Sequence, residues 1–254
     1  MKIKEIVVPV SFSESSINAL KFTIEYAKNE SAGVYALHVL QNSLETENAI
    51  VAKLAEKIKN TQTYRPIVVN GDTASEIIHF SEKISSGLIV LSSTGAENET
   101  WGVSPVTSYI ATKATVPVLI VPSQTSFKEV KNILIISEYS IDIIERLFSI
   151  LNLFDRFYPT LFLLFIGKDK EESEDLLNNI KQSTNYNTIE CINIPTNNFE
   201  KVIEKIINEK AIDLISFQGG GTAFKERSEK ERGLICYPSC KEIPMLVFPE
   251  LLRI

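Results

Sequence analysis

Cysteine, histidine and long apolar runs are scarce in this chain of 254 residues, and each scarcity excludes a class of protein. The three cysteines, Cys191, Cys236 and Cys240, are odd in number, which indicates reduced thiols and not a disulfide framework. No apolar run approaches the roughly 20 residues that cross a bilayer, and the N-terminal stretch is too short for a signal peptide. We therefore expect a cytoplasmic protein with no membrane partner.

Catalytic and metal-binding patterns are sparse as well. The two histidines and the cysteines stand in no spacing typical of a zinc site. His38 lies in a strand pattern, which favours a packed, hydrogen-bonded residue over a ligand, and His79 is predicted on a helix surface. Pro238, between Cys236 and Cys240, disfavours a redox pair on one helical face. With no nucleophile elbow, paired catalytic carboxylates or Walker lysine, nothing in the sequence supports an enzyme.

Lysine and arginine form no stripe along the sequence and no basic cluster interleaved with aromatic residues. The formal net charge is −6, with 26 lysines and arginines against 32 acidic residues. Nucleic-acid affinity depends on basic groups that neutralise phosphates, and an anionic membrane surface attracts the same groups. We therefore expect no nucleic-acid partner and no membrane-surface partner.

The chain resembles itself when it is shifted by 127 positions. Glu5–Ser13 then lies over Asn132–Ser140, and Val116–Pro122 lies over Ile243–Pro249, with proline on proline at both ends. An equal offset near both ends of each half indicates a tandem duplication. We predict two domains, at residues 1–122 and 129–254, with a polar linker at 123–128.

Apolar β-branched runs alternate with segments of helical period in each half. Continuous hydrophobic strands between helices indicate a parallel sheet covered on both faces, so we predict two doubly wound α/β domains of five strands each. The predicted strands are 5–10, 34–40, 65–69, 88–91, 116–121, 133–137, 161–166, 189–194, 214–217 and 244–248. The predicted helices are 14–29, 45–60, 74–84, 106–114, 141–154, 170–182 and 199–210, the first with Ser13 as its N-cap. Ligands are expected at the carboxyl ends of the strands.

Four segments of the first half resemble the universal stress protein family. They are IVVPVSFSESSINALKF, ALHV, NGDTASEII and VTSYIATKATVPVLIVP, in the family's order and spacing. The second half is similar only in its strand pattern and its proline-bounded last strand, so the chain is identified as a tandem member with a diverged second copy. The resemblance implies a Rossmann-like, adenine nucleotide α-hydrolase-like fold in each half, and a pseudo-dimer.

The resemblance also implies where a nucleotide site would lie. ATP-binding members carry an Asp after the first strand, then Gly-x-x-Gly, a nine-residue spacer and Gly-Ser/Thr, which wraps the phosphates at a helix N-terminus. Carried over by position, the Asp falls on Ser11. The family's ATP-site positions here are Pro9, Val10, Ser11, Val39, Ser92, Gly95, Asn98, Ser104, Pro105 and Val106.

Each departure from the family pattern weakens phosphate binding. Ser11 holds no charge, and Pro105 at the first helical position offers no N–H. Glu97 and Glu99 place negative charge where a triphosphate would lie. We therefore favour a degenerate phosphate loop over a working one.

A second glycine-rich stretch lies in the other half. Its backbone, followed by four basic residues among acidic ones, would suit an anion; a flexible mixed-charge loop is the alternative that we favour. The candidate anion-loop residues are Gly219, Gly220 and Gly221.

Two functions stay open. The first is a non-enzymatic stress-response module without a resident cofactor, which acts through protein partners or a small ligand. The second, implied by the ATP-binding branch of the family, is an adenine-nucleotide-binding protein (ATP or AMP) with at most slow ATP hydrolysis. The residues at 11, 98, 104 and 105 favour the first. The proline-bounded final strands predict an antiparallel contact between the halves, which gives a monomeric pseudo-dimer; the alternative is a homodimer.

Overall fold

The computed structural model describes residues 3–28, 31–41, 45–59, 63–93, 104–137, 143–166, 170–194, 199–218 and 242–248. The strands are β1 (Glu5–Pro9), β2 (Gly33–Leu40), β3 (Arg65–Asn70), β4 (Leu88–Ser92), β5 (Val118–Val121), β6 (Asn132–Ser137), β7 (Thr160–Ile166), β8 (Ile189–Ile194), β9 (Leu214–Gln218) and β10 (Met245–Phe248). The helices are α1 (Glu14–Ala27), α2 (Glu47–Lys57), α3 (Thr73–Lys83), α4 (Pro105–Lys113), α5 (Ile143–Phe154), α6 (Lys170–Thr184) and α7 (Phe199–Glu209). A 3-10 turn at Asp155–Phe157 follows α5.

All ten strands lie in one sheet, in the order β3-β2-β1-β4-β5-β10-β9-β6-β7-β8. Every strand pair within a half is parallel. The halves meet where β5 and β10 pair antiparallel, with Leu119 opposite Leu246. The predicted doubly wound fold and the predicted contact between the final strands are thus confirmed. The two predicted sheets are the two halves of a single continuous sheet.

Helices cover both faces of the sheet, as the continuous apolar strands predict. Ile6 and Val8 of β1 pack in a core beneath α1, α2, α5 and α6, whereas Val7 packs in a second core beneath α3, α4 and α7. Each core draws residues from both halves of the chain: Leu119 and Leu246 lie together in the first. The hydrophobic interior therefore continues across the junction.

Helices α1 and α5 also meet at the junction. The Tyr26 hydroxyl donates to the Leu153 carbonyl at 2.7 Å, and Arg156 Nη2 donates to the Tyr26 carbonyl at 2.7 Å. The Phe127 ring packs edge-on against Phe22 and Tyr26, with centroids 5.3 and 6.0 Å apart. Tyr26 is only 2% exposed, so these contacts fix the two helices against each other in a dry environment.

The segment predicted as a linker packs against both halves. Asn18 Nδ2 on α1 donates to the carbonyls of Pro122 (3.3 Å) and Thr125 (2.9 Å). Thr125 Oγ1 donates to the Glu242 carbonyl at 2.8 Å, just before β10. The segment is thereby tied to both halves, and the division of the chain at 123–128 stays a prediction. Of the helices in the described ranges, none has the length and apolar character needed to cross a bilayer.

Candidate functional site

The strand order of the first half reverses between β1 and β4, and we call the carboxyl side of this reversal the crevice. The chain continues from β1 to β2 on one side of this point and from β4 to β5 on the other side. Doubly wound folds bind ligands at such a point, at the edge of the sheet formed by the carboxyl ends of the strands. The fold brings eight of the implied nucleotide positions to this edge, on the ends of β1, β2 and β4 and the start of α4. They are Pro9, Val10, Ser11, Val39, Ser92, Ser104, Pro105 and Val106.

Ser11, at the former Asp position, belongs to a cluster of hydroxyl groups. Its Oγ lies 3.1 Å from Ser13 Oγ and donates to Ser16 Oγ at 3.4 Å, while its backbone N–H donates to Ser16 Oγ at 3.3 Å. Ser13 Oγ accepts from the Ser16 N–H at 3.2 Å, which confirms Ser13 as the N-cap of α1. The end of β1 therefore presents neutral, mutually bonded hydroxyls at the position where the resemblance implies a carboxylate.

One wall of the crevice is aromatic. Phe12 lies in the left-handed region at φ 67°, a conformation that costs a non-glycine residue on the order of 1 kcal/mol and is common at functional sites. Its ring contacts the His38 ring at 4.9 Å between centroids, and the Lys53 ammonium lies 4.4 Å from the Phe12 centroid. Lys53 is a residue that the sequence analysis missed, since the motif spacing carries no information on which α2 side chain reaches the β1 end.

His38 holds the end of β1 against β2. Its Nδ1 lies 2.6 Å from the Val10 carbonyl oxygen. Because a carbonyl only accepts, we assign the proton to Nδ1, which leaves Nε2 as an acceptor when the ring is neutral. The prediction of a packed, hydrogen-bonded His38 is confirmed, and His79 lies exposed on α3 as predicted.

The start of α4 offers few donors to an anion. Ser104 is the N-cap: its Oγ accepts from the Thr107 N–H at 3.0 Å and lies 2.9 Å from Thr107 Oγ1. Pro105 follows at the first helical turn and carries no N–H, and the Ser108 N–H donates to the Ser104 carbonyl at 2.8 Å. Among the residues described in this turn, the N–H groups of Ser104 and Val106 are left for a ligand, because the cap takes that of Thr107 and Pro105 has none.

A buried hydroxyl lies beside the crevice. Ser93 follows β4 directly and is 1% exposed, and its N–H donates to the Val121 carbonyl at 2.9 Å. Its Oγ has no hydrogen-bond partner within the described ranges. An unpaired buried hydroxyl costs free energy, so Ser93 is a polar group at the end of β4 whose hydrogen bond is missing within the described ranges.

Several predicted positions lie outside the described residues. In the first half these are Gly95 and Asn98, together with the two glutamates between β4 and α4. In the second half they are the candidate anion-loop residues, Gly219, Gly220 and Gly221. The predictions about both loops stay predictions.

The Cys191 thiol, in the second half, lies in an environment that disfavours its reactive thiolate form. Cys191 Sγ donates to the Ser173 carbonyl at 3.6 Å, and burial raises the pKa of its thiol to about 11, which disfavours the thiolate. Over the described ranges, no three histidine, cysteine, aspartate or glutamate side chains come together in a way that would hold a metal ion.

A doubly wound parallel sheet with a crevice at its strand reversal places the protein in the Rossmann-like α/β class. Residues 2–122 match the model of the Universal stress protein family. No protein with a curated description matches the sequence.

Solved structures extend the likeness to both halves. A universal stress protein from Archaeoglobus fulgidus aligns with a TM-score of 0.72 at 18% identity, over 96% of this chain and 98% of that chain. A functionally unknown protein from Pseudomonas aeruginosa aligns with a TM-score of 0.58 at 14% identity, over 98% of this chain and 93% of that chain. At these identities the likeness concerns the fold, and it includes the arrangement of two successive halves.

Proposed function

We propose that the protein is a non-enzymatic regulatory module of the stress response, which acts through protein partners or a small ligand and no longer binds ATP tightly in its first half. The observation that carries the proposal is the chemistry of the crevice. A neutral Ser11 stands at the adenosine position, and Pro105 removes an N–H from the turn where phosphates would lie.

Compared with an aspartate, Ser11 lacks the negative charge and has fewer hydrogen-bond acceptor sites. A carboxylate offers two oxygens with several acceptor sites, whereas a serine offers a single oxygen. In this structure that oxygen already contacts the hydroxyls of Ser13 and Ser16. A ribose hydroxyl would therefore replace existing hydrogen bonds and gain only neutral ones. A neutral hydrogen bond is about half as strong as a charge-assisted one.

The loss at α4 concerns the phosphates. A triphosphate needs backbone N–H groups and cations that converge on its oxygens. Ser104 already occupies the Thr107 N–H, and Pro105 has none to give. Without a firmly held triphosphate there is no basis for positioning its γ-phosphate for hydrolysis, so the proposal includes no catalytic activity.

Adenine-nucleotide binding with at most slow hydrolysis is the second candidate. It is favoured by the Ser93 hydroxyl, which has no partner in the described ranges, and by the Lys53 ammonium above Phe12, although that ammonium also lies 3.8 Å from Glu45 Oε1. A monophosphate such as AMP needs fewer hydrogen-bond donors than ATP, so AMP is the nucleotide that we expect this crevice to bind best.

Bound nucleotide and calorimetric titration test the proposal. We expect no nucleotide absorbance in the supernatant of the denatured, freshly purified protein, and no micromolar affinity for ATP with Mg²⁺. Nucleotide that copurifies, or micromolar ATP binding that Ser11→Arg abolishes, would overturn the proposal in favour of the second candidate.

A gain-of-function pair sharpens the test. Ser11→Asp with Pro105→Ala restores both the carboxylate and the missing N–H, so we expect it to raise ATP affinity at least tenfold. The matched control is Ser15→Asp with Pro105→Ala, which adds the same charge to the first turn of α1 at a position that does not belong to the motif. Equal affinities for the two variants would show that a carboxylate at residue 11 contributes nothing to nucleotide binding.

A further inference from the structure

A cavity separate from the crevice lies between the second half of α1 and the end of α2. Its volume is about 350 Å³, and four lysines line it: Lys21, Lys28, Lys57 and Lys59. Both helices begin at the carboxyl edge of the sheet, where Ser13 and Thr46 cap them. Because a helix rises about 1.5 Å per residue, the end of α1 lies roughly 20 Å from its cap. The cavity is therefore near the opposite edge of the sheet from the crevice.

The lysines of the cavity carry more positive charge than their surroundings neutralise. Lys28 pairs with Glu25, its Nζ lying 2.6 Å from both carboxylate oxygens. Lys21, Lys57 and Lys59 make no ion pair with any residue in the described ranges. Three ammonium groups around one opening repel each other. The surface at the cavity is therefore positively charged, although the net charge of the protein is −6.

The floor of the cavity is apolar. Ile24 is 9% exposed and Ile58 is 6% exposed, and both line the cavity beneath the lysines. An apolar wall lowers the effective dielectric and so strengthens the attraction between the ammonium groups and an anion. The cavity thus combines a hydrophobic base with a rim on which four lysines outnumber one carboxylate, that of Glu25.

The fold itself does not require lysine at these positions. At the positions 127 residues further along, α5 and the turn after it carry Phe148 in place of Lys21 and Asp155 in place of Lys28. Phe148 is 44% exposed, so the corresponding surface of the second half is apolar and acidic where the first half is basic. The lysines are a feature of the first half alone.

We propose that this cavity binds a small polyanion that carries two or more phosphate groups, with inorganic pyrophosphate as the minimal example. Lysine binds phosphate as a flexible point charge, and three unpaired ammonium groups around one opening suit a ligand with more than one anionic group. The Ile24 and Ile58 floor accommodates an organic moiety on the same ligand. This inference is independent of the proposal for the crevice, which concerns different elements of the fold.

Isothermal titration calorimetry with inorganic pyrophosphate, at low ionic strength and on the full chain, tests the site. We expect a binding event that Lys57→Gln with Lys59→Gln weakens at least tenfold. The matched control is Lys83→Gln with Lys113→Gln, two exposed lysines in the last turns of α3 and α4, which occupy the same helical position as Lys57 in α2. We expect the control to keep the affinity of the wild type, because it loses the same charge away from the cavity.

The outcomes separate the alternatives. No binding by the wild type, equal weakening in both double variants, or unchanged binding by the Lys57 and Lys59 variant would each overturn the proposal. All of these lysines are solvent-exposed, so the variants keep the fold, and an unchanged circular dichroism spectrum checks this. A titration with ADP then distinguishes the ligand's source. If ADP binds more tightly than pyrophosphate and its affinity still depends on Lys57 and Lys59, the cavity binds an organic diphosphate. If the affinity for ADP depends on Ser11 alone, ADP binds at the crevice.

Discussion

Leu119 and Leu246 lie directly opposite each other in the antiparallel contact between β5 and β10, and they are also equivalent positions of the repeat, 127 residues apart. Tyr26 and Leu153 have the same separation, and the Tyr26 hydroxyl donates to the Leu153 carbonyl. A position can meet its own counterpart only near the axis that relates the two copies. The halves are therefore related by a pseudo-two-fold axis that passes through the strand contact and the helix contact.

Replacing both leucines on this axis with lysine should separate the halves. Leu119 is 1% exposed and Leu246 is fully buried, so Leu119→Lys with Leu246→Lys places two like charges opposite each other in a dry core. We expect a loss of more than about 3 kcal/mol in the free energy of unfolding, with much of the helical signal retained within each half. Urea unfolding and small-angle scattering measure the two effects.

Phe148→Lys is the control for that experiment, because it introduces lysine at an exposed position of α5. Its stability and radius of gyration should equal those of the wild type. A double leucine variant that stayed as compact and as stable as the wild type would place the main contact between the halves elsewhere.

Removing the Tyr26 hydroxyl should weaken the helix contact. Tyr26→Phe leaves the buried Leu153 carbonyl without its donor, which costs about 1–2 kcal/mol. Tyr158→Phe makes the same chemical change at a side chain that is 78% exposed, and we expect less than about 0.5 kcal/mol there. The difference between the two midpoints of urea unfolding checks the prediction, and equal midpoints would contradict it.

Alkaline pH should destabilise the second half through two partly buried acids, Cys191 and Tyr186. Burial raises the pKa of Cys191 to about 11, and burial together with the Asp155 charge raises the pKa of Tyr186 to about 12. The unfolded chain loses these protons at lower pH, near about 8.5 and about 10. Stability is fully present below those unfolded values and is lost as the pH rises toward the folded ones.

We therefore expect the free energy of unfolding to fall between about pH 9 and 12. Cys191→Ala should make the lower part of the fall shallower, and Tyr186→Phe the upper part. Urea titrations at a series of pH values measure the slopes, with Tyr158→Phe as the tyrosine control. A wild-type slope that persists unchanged in both variants would assign the pH dependence to other groups.

The regular elements were predictable because their signals are local. Ser13 and Ser104 mark helix starts by their own capping chemistry, and both caps are present. Some element boundaries differ from the prediction. A strand predicted from residue 116 begins at Val118, because Pro117 has no N–H to donate to the neighbouring strand. The Pro117 carbonyl still accepts from the Ile89 N–H. The contact between the final strands was predictable from proline-bounded apolar edges that needed cover.

The contacts between remote segments could not be predicted in the same way. That Phe127 of the predicted linker packs on Tyr26, or that Lys53 reaches Phe12, depends on how helices settle on the sheet. The lysine cavity combines residues of α1 and α2 whose spacing in the chain forms no motif. At the crevice, the positions came from a family pattern, whereas the loss of the Thr107 N–H to the Ser104 cap became visible only once the cap bonds of α4 were known.

The continuous sheet has a consequence for stoichiometry. Two identical chains that joined through their final strands would repeat every surface about the axis and would offer any ligand two equal sites. Here both copies belong to one chain, so α1 could keep Lys21 and Lys28 while the equivalent surface carries Phe148 and Asp155. A partner that recognises either surface therefore meets it once in each chain, and the two halves of one chain offer it no pair of equal sites.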